Sequence, residues 1–352
     1  MVASRTHDSA IDASGDDGRG TAAYLSLRHG GSLLCLLVLT TLAYAASLRG
    51  EYVYEDMRDA GRYETSVVWP GWSDALARSL RPTGGTMFVQ AAVAYLTDTS
   101  PQAQRAVSLA WHLGNGALLW LLARRVLAPA AALVAAGIFL LHPLQTESVA
   151  YVAGRSELLV GTAVLAALLA AERGWWVIAW GTAASAILGK HAGVMALALV
   201  PLWASWRRLP TWTPHVRNVW WMACGIVAWV GLDFLRDRAL FLARPDDIAA
   251  TLAAWARLLA LWIVPWGQTI DHDWAAMPAY AGLVAVLGWA AGSILAVWQR
   301  QRWVSMAIIW SLVVVLPRLL VQVGEGPHEH HLYGVTIALS LAIGGYLTWE
   351  RA

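Results

Sequence analysis

Charge is scarce in this chain. Asp, Glu, Lys and Arg make up 14% of its 352 residues, against 58% hydrophobic, where a soluble globular domain carries about 25% charge. That excludes an ordinary soluble domain, a disordered chain and a fibre. Lysine occurs once, as Lys190, and the formal net charge is only +2, so nothing points to a nucleic-acid partner. The two cysteines, Cys35 and Cys224, both sit inside apolar runs; neither a disulfide framework nor a cysteine metal site is expected. Residues 1–30 contain no apolar core of a cleavable signal peptide. G-x-x-x-x-G-K-[ST], G-x-S-x-G and H-E-x-x-H are all missing, which leaves ATP-driven transport, serine hydrolysis and zincin chemistry without support.

What the chain has is apolar runs. They lie at 32–48, 86–97, 103–123, 127–141, 157–171, 175–189, 191–206, 217–235, 249–265, 279–298, 303–323 and 332–349. They are too long and unpatterned for a β-barrel and imply an all-α, polytopic transmembrane bundle. Residues 1–30 read as a disordered cytoplasmic tail and 31–352 as one membrane domain. Two runs are weak as crossings: 86–97 is short and holds Gln90, and 249–265 contains Arg257 and ends at Pro265. Laying both at the outer surface leaves ten crossings. The cytoplasmic turns then carry Arg124-Arg125, Arg173, Arg207-Arg208, Arg300 and Arg302, with Arg351 at the end, as the positive-inside rule requires. Both termini are cytoplasmic, and the long outer segments are about 49–102 and 236–278.

This topology sorts the acids. Of nineteen Asp and Glu beyond the tail, only Glu172 and Glu350 fall on the cytoplasmic side, and the other seventeen fall at the outer face. Lys190 and His142, His191, His272, His328, His330 and His331 join them. Polar groups at membrane depth are costly and mark function. Tryptophan outnumbers phenylalanine 22 to 4, and Trp175, Trp176, Trp203, Trp206 and Trp303 sit at run ends, where interfacial anchors belong.

Six segments carry possible chemistry. Glu55-Asp56 follows a span directly; adjacent carboxylates there suit a general base or a cation ligand, or are simply a solvated loop start. Arg81 before Pro82, and Lys190-His191 in a turn, suit an anionic headgroup or phosphate, or an interfacial snorkel. The stretch HPLQTESVAYVAGRSELL (142–159) must turn polar and charged side chains such as His142, Glu147, Arg155 and Glu157 toward a cavity or water, or is an ordinary interface cap. Asp271-His272-Asp273 and His328-Glu329-His330-His331 offer ligands for Zn or Mn, or form surface clusters.

Residues 142–159 resemble the "HPvhTEaVayvaGRaeLL" segment of the transmembrane and tetratricopeptide repeat-containing O-mannosyltransferases and their bacterial relatives, which belong to the GT-C superfamily. Collinear with it, EYVYEDMRDA (51–60), Arg81-Pro82, LGKHAG (188–193), WARLLALWIVPWGQTIDHDW (255–274) and EHHLYGVTIALSL (329–341) are similar to further family segments. The resemblance implies a GT-C bundle with membrane-lying helices in its outer loops. It implies transfer of a sugar, mannose-like or a similar hexose, from a polyprenyl-phosphate donor to a protein or lipid acceptor. It places catalysis at Glu55 or Asp56. It places substrate and phosphate binding at Arg81, His142, Glu147, Arg155, Lys190, His191, Glu329, His330 and Tyr333, with a divalent metal (Mg, Mn or Zn) as an open question. The bacterial inner membrane is the expected location, with the active face outward. Departures at Glu55, His191 and His330 keep a second expectation in play: a catalytically silent GT-C-like subunit, a scaffold among other membrane subunits.

Overall fold

The structure, a computed structural model, describes residues 17–53, 56, 84–97, 100–236, 245–269, 272, 279–299, 301–320 and 327–349. Among these residues all regular structure is helical. Helix α1 (Asp17–Tyr44) is followed by α2 (Gly84–Thr97), α3 (Pro101–Ala123), α4 (Pro129–Leu141) and the short α5 (Gln145–Ala150). Then come α6 (Arg155–Glu172), α7 (Trp176–Gly189), α8 (Ala196–Arg207) and α9 (Pro214–Arg236). Helices α10 (Pro245–Ile263), α11 (Ala279–Trp298), α12 (Arg302–Leu320) and α13 (Tyr333–Trp349) complete the chain. Single 3₁₀ turns at Val152–Gly154, His191–Met195 and Glu329–Leu332 lead into α6, α8 and α13.

Local chemistry sets the boundaries. Ser100 caps α3, accepting from the Ala103 amide at 3.4 Å, and Pro101 opens the helix, where its missing N–H removes no hydrogen bond. Pro129 opens α4 in the same way. Helix α8 ends on Arg208 in the left-handed region, φ 54°. Helix α1 starts at Asp17 rather than after residue 30: Ala22, Ala23, Leu25 and Leu27 favour helix and continue it into the segment whose polar residues suggested a tail.

Among the described residues, three helical stretches are long and apolar enough to cross a membrane: Pro101–Ala123, Val152–Glu172 and Glu329–Thr348. Shorter apolar helices include Gly30–Tyr44, Pro129–Leu141, Trp176–Gly189, Thr251–Ile263 and Arg302–Leu316. Helix α6 sits at the centre, against α3, α7, α8 and α13. Ala131, Ala132, Ala135 and Ala136 make one face of α4 small and fully packed, which lets α3 and α13 approach closely. The run 86–97 forms α2. Its polar face is buried: Thr86 Oγ1 donates to the Gly189 carbonyl at 2.7 Å, and Gln90 Nε2 to the Val152 carbonyl at 3.2 Å. Gln90 therefore serves as an interhelix tie.

Candidate functional site

The site gathers where α6 begins. Asp56 is buried, and its carboxylate accepts the Val152 amide at 3.1 Å and the Ala153 amide at 2.9 Å. These are the first free N–H groups of the turn that opens α6, so Asp56 caps it. Arg105 grips the same region from α3: Nε donates to the Ala150 carbonyl at 2.8 Å, and the two terminal nitrogens donate to the carbonyls of Gly50 and Glu51. Two side chains thus fasten residues 50–56 to residues 150–153.

The expected phosphate contact Arg155 is wholly buried. It donates to Ser108 Oγ at 3.1 Å, Gln104 Oε1 at 2.7 Å and the Gln104 carbonyl at 2.5 Å, locking α6 to α3. Tyr333 is also a packing residue. Its hydroxyl donates to His112 Nδ1 at 3.0 Å and accepts from Asn115 Nδ2 at 2.9 Å. Its ring lies where a Cβ on Gly161 would come within 2.7 Å of it. His142 ends α4. Its Nδ1 accepts the Leu144 amide at 3.3 Å, Nε2 donates to the Trp262 carbonyl at 2.9 Å, and the ring stacks on Trp262 at 4.9 Å. Burial pushes this imidazole below its usual pKa, against the pull of the Trp262 carbonyl; it is a neutral clamp between α4 and α10.

Three carboxylates organise the rest. Glu147 on α5 accepts the His330 amide at 2.8 Å and His330 Nδ1 at 2.7 Å. Burial alone would raise its pKa, but the charge and hydrogen bonds of His330, with His328 nearby, hold it below the usual carboxylate value. Glu157, in the first turn of α6, takes Lys190 Nζ at 2.9 Å and Arg318 Nη2 at 2.6 Å on one oxygen. Burial pushes the Lys190 ammonium down while Glu157 opposes the shift. Glu329 accepts the Thr269 amide and His272 Nε2, each at 3.0 Å. Between these segments lies a cavity of about 320 Å³, lined by Val53, Arg105, Glu147, Tyr151, Thr269 and Glu329 among others. Its lining is largely apolar, with the Glu147 and Glu329 carboxylates and the Arg105 guanidinium among its polar groups.

The structure therefore unites Asp56, Glu147, Lys190, Glu329 and His330 at one end of the bundle, while Arg155 and Tyr333 are turned into packing between helices. His191 is half-buried in the 3₁₀ turn after Lys190. Glu55 and Arg81 lie outside the described residues. Sequence reasoning missed Arg105 and Arg318. Each was a lone arginine within or beside an apolar run, and such a residue faces the bundle interior. The fold and site thus define an all-helical protein with candidate membrane-spanning helices and a polar, ionised cluster at one end. No family model, curated protein or solved structure matches the chain.

Proposed function

We propose that the chain is an integral membrane glycosyltransferase of the GT-C type. It crosses the bacterial inner membrane ten times, with both termini cytoplasmic and the ionised end outward. It moves a hexose from a polyprenyl-phosphate donor to a protein or glycolipid hydroxyl. One observation carries this reading: the segments that resemble the family, 51–60, 142–159, 188–193, 255–274 and 329–341, lie far apart in sequence yet supply the cluster and the cavity lining together. Asp56 is occupied by two amides, so the acceptor proton falls to Glu55. Lys190 stands nearest to a role on the leaving phosphate, which a point-charge cation stabilises.

The test is transfer of labelled sugar from polyprenyl phosphate by the purified protein in nanodiscs. Glu55→Ala lowers turnover by about 10²-fold or more with the thermal midpoint unchanged, the usual weight of a general base. Asp56→Ala lowers the midpoint as well. Full activity in Glu55→Ala would remove the assigned base. A second reading has its own support, because Arg155 is spent on Gln104 and Ser108: a catalytically silent scaffold subunit. It predicts no transfer from any donor, and co-purification with other membrane subunits in mild detergent.

A further inference from the structure

We infer that Glu157, His330 and His331 form a binding site for one divalent transition-metal ion, of the zinc or cobalt class. One ligand atom from each of the three lies within 4.8 Å of the others. They come from two elements, the first turn of α6 and the 3₁₀ turn before α13, so the tertiary fold assembles the set. The donor chemistry is two imidazoles and one carboxylate, a combination that suits zinc and leaves a fourth position open. Magnesium and calcium prefer all-oxygen shells and fit it poorly.

A second observation points the same way. The Nδ1–H of His330 donates to the Glu147 carboxylate at 2.7 Å, and the His330 backbone amide holds the other oxygen of that carboxylate at 2.8 Å. A carboxylate on Nδ1 fixes the tautomer that leaves Nε2 with its lone pair, the arrangement found behind metal-bound histidines. Lys190 and Arg318 both donate to Oε1 of Glu157, which leaves Oε2 for the ion. His331 Nδ1 accepts the His328 amide at 3.0 Å. Ligation through Nε2 moves the ring proton to Nδ1 and gives up that bond, so metal binding shifts the 328–331 turn. With the histidines neutral, as metal ligation requires, Glu147, Glu157 and Glu329 against Lys190 and Arg318 sum to one negative charge, three minus two, which permits the ion. The inference concerns metal affinity alone and stands whether or not the chain transfers sugar.

The experiment titrates Co²⁺ into the full chain, purified in detergent without a histidine tag and stripped with a chelator. One Co²⁺ per chain is expected, with the visible absorption of a four-coordinate nitrogen–oxygen site, displaced by Zn²⁺. His330→Ala and His331→Ala abolish it. Glu147→Gln, which touches the ligand set through His330, weakens it by about 10- to 100-fold. His272→Ala, which alters the separate Glu329 pair, leaves it unchanged. Glu157→Gln strands Lys190 and Arg318, so the histidine variants carry the test, each checked for an unchanged elution volume and helical circular dichroism. Absence of binding by the folded wild type overturns the site. So does binding that survives His330→Ala and His331→Ala, or that disappears with His272→Ala.

Discussion

Helix α6 joins two buried carboxylates of opposite character. Glu157 at its start meets Lys190, Arg318 and the histidine cluster; Glu172 at its end, about 22 Å away at 1.5 Å per residue, meets Arg207 Nε at 2.9 Å and Trp203 Nε1 at 2.8 Å. At the Glu172 end the neighbours are tryptophans: Trp203 packs on Trp206 at 5.3 Å, Trp206 on Trp303 at 4.7 Å, and Arg302 lies over Trp206. The side chain of Arg207 stays 30% exposed, whereas that of Arg318 is 9% exposed. One end closes with flat rings and a cation that still reaches water. The other encloses several charges beside a cavity. A closed aromatic end suits an interfacial anchor; a buried, ionised end carries a desolvation cost that marks it as the candidate functional site.

The comparison breaks most sharply at Glu157. Glu157→Leu leaves Arg318 buried and the quarter-exposed Lys190 without their carboxylate and destabilises the protein by about 3 kcal/mol, read as loss of folded protein on detergent-induced unfolding. Gly193→Ala comes next. Its added Cβ would lie 2.1 Å from the Ala186 carbonyl oxygen, forcing the Lys190 turn away from α7 at about 1–3 kcal/mol; the same assay with a Co²⁺ titration shows whether the charged end alone is disturbed. Glu172→Leu at the aromatic end loses about 1–2 kcal/mol, because Arg207 turns to water and only the Trp203 bond is forfeited outright. A loss there equal to that of Glu157→Leu would erase the distinction between the ends.

The smallest effect is in the pH dependence. The Glu147 pKa is lowered in the fold from its usual 4.5. The stability it contributes is fully present above that value and lost as pH falls through the lower folded value. His142 is lowered from 6.5; the unfolded chain takes up a proton that the folded chain resists, so stability declines as pH drops below 6.5. Thermal midpoints between pH 7 and pH 4 should fall less steeply in Glu147→Gln and in His142→Leu than in the wild type.

Much of this was legible in the residues. The apolar runs indicated an all-helical chain, and among the described residues Glu147, Glu157, Lys190, Glu329 and His330, which the charge pattern groups together, do gather at one end. Individual roles were not legible. Asp56 and Arg155 read as chemistry because a carboxylate and a guanidinium look alike in sequence whether they face a ligand or a helix terminus. Only the fold shows Asp56 on the amides of Val152 and Ala153, and Arg155 on Gln104 and Ser108. Arg318 was hidden by its own apolar surroundings, and its partner Glu157 lies 161 positions away.

The sequence by itself determined the helices, because hydropathy is a local property that the solvent reads residue by residue. The tertiary structure alone decided which charges pair. It put Glu147 on His330, Lys190 and Arg318 on one oxygen of Glu157, and Glu329 on His272. A buried charge must find its partner at about 3 Å, and only the packing of distant helices brings the partners that close.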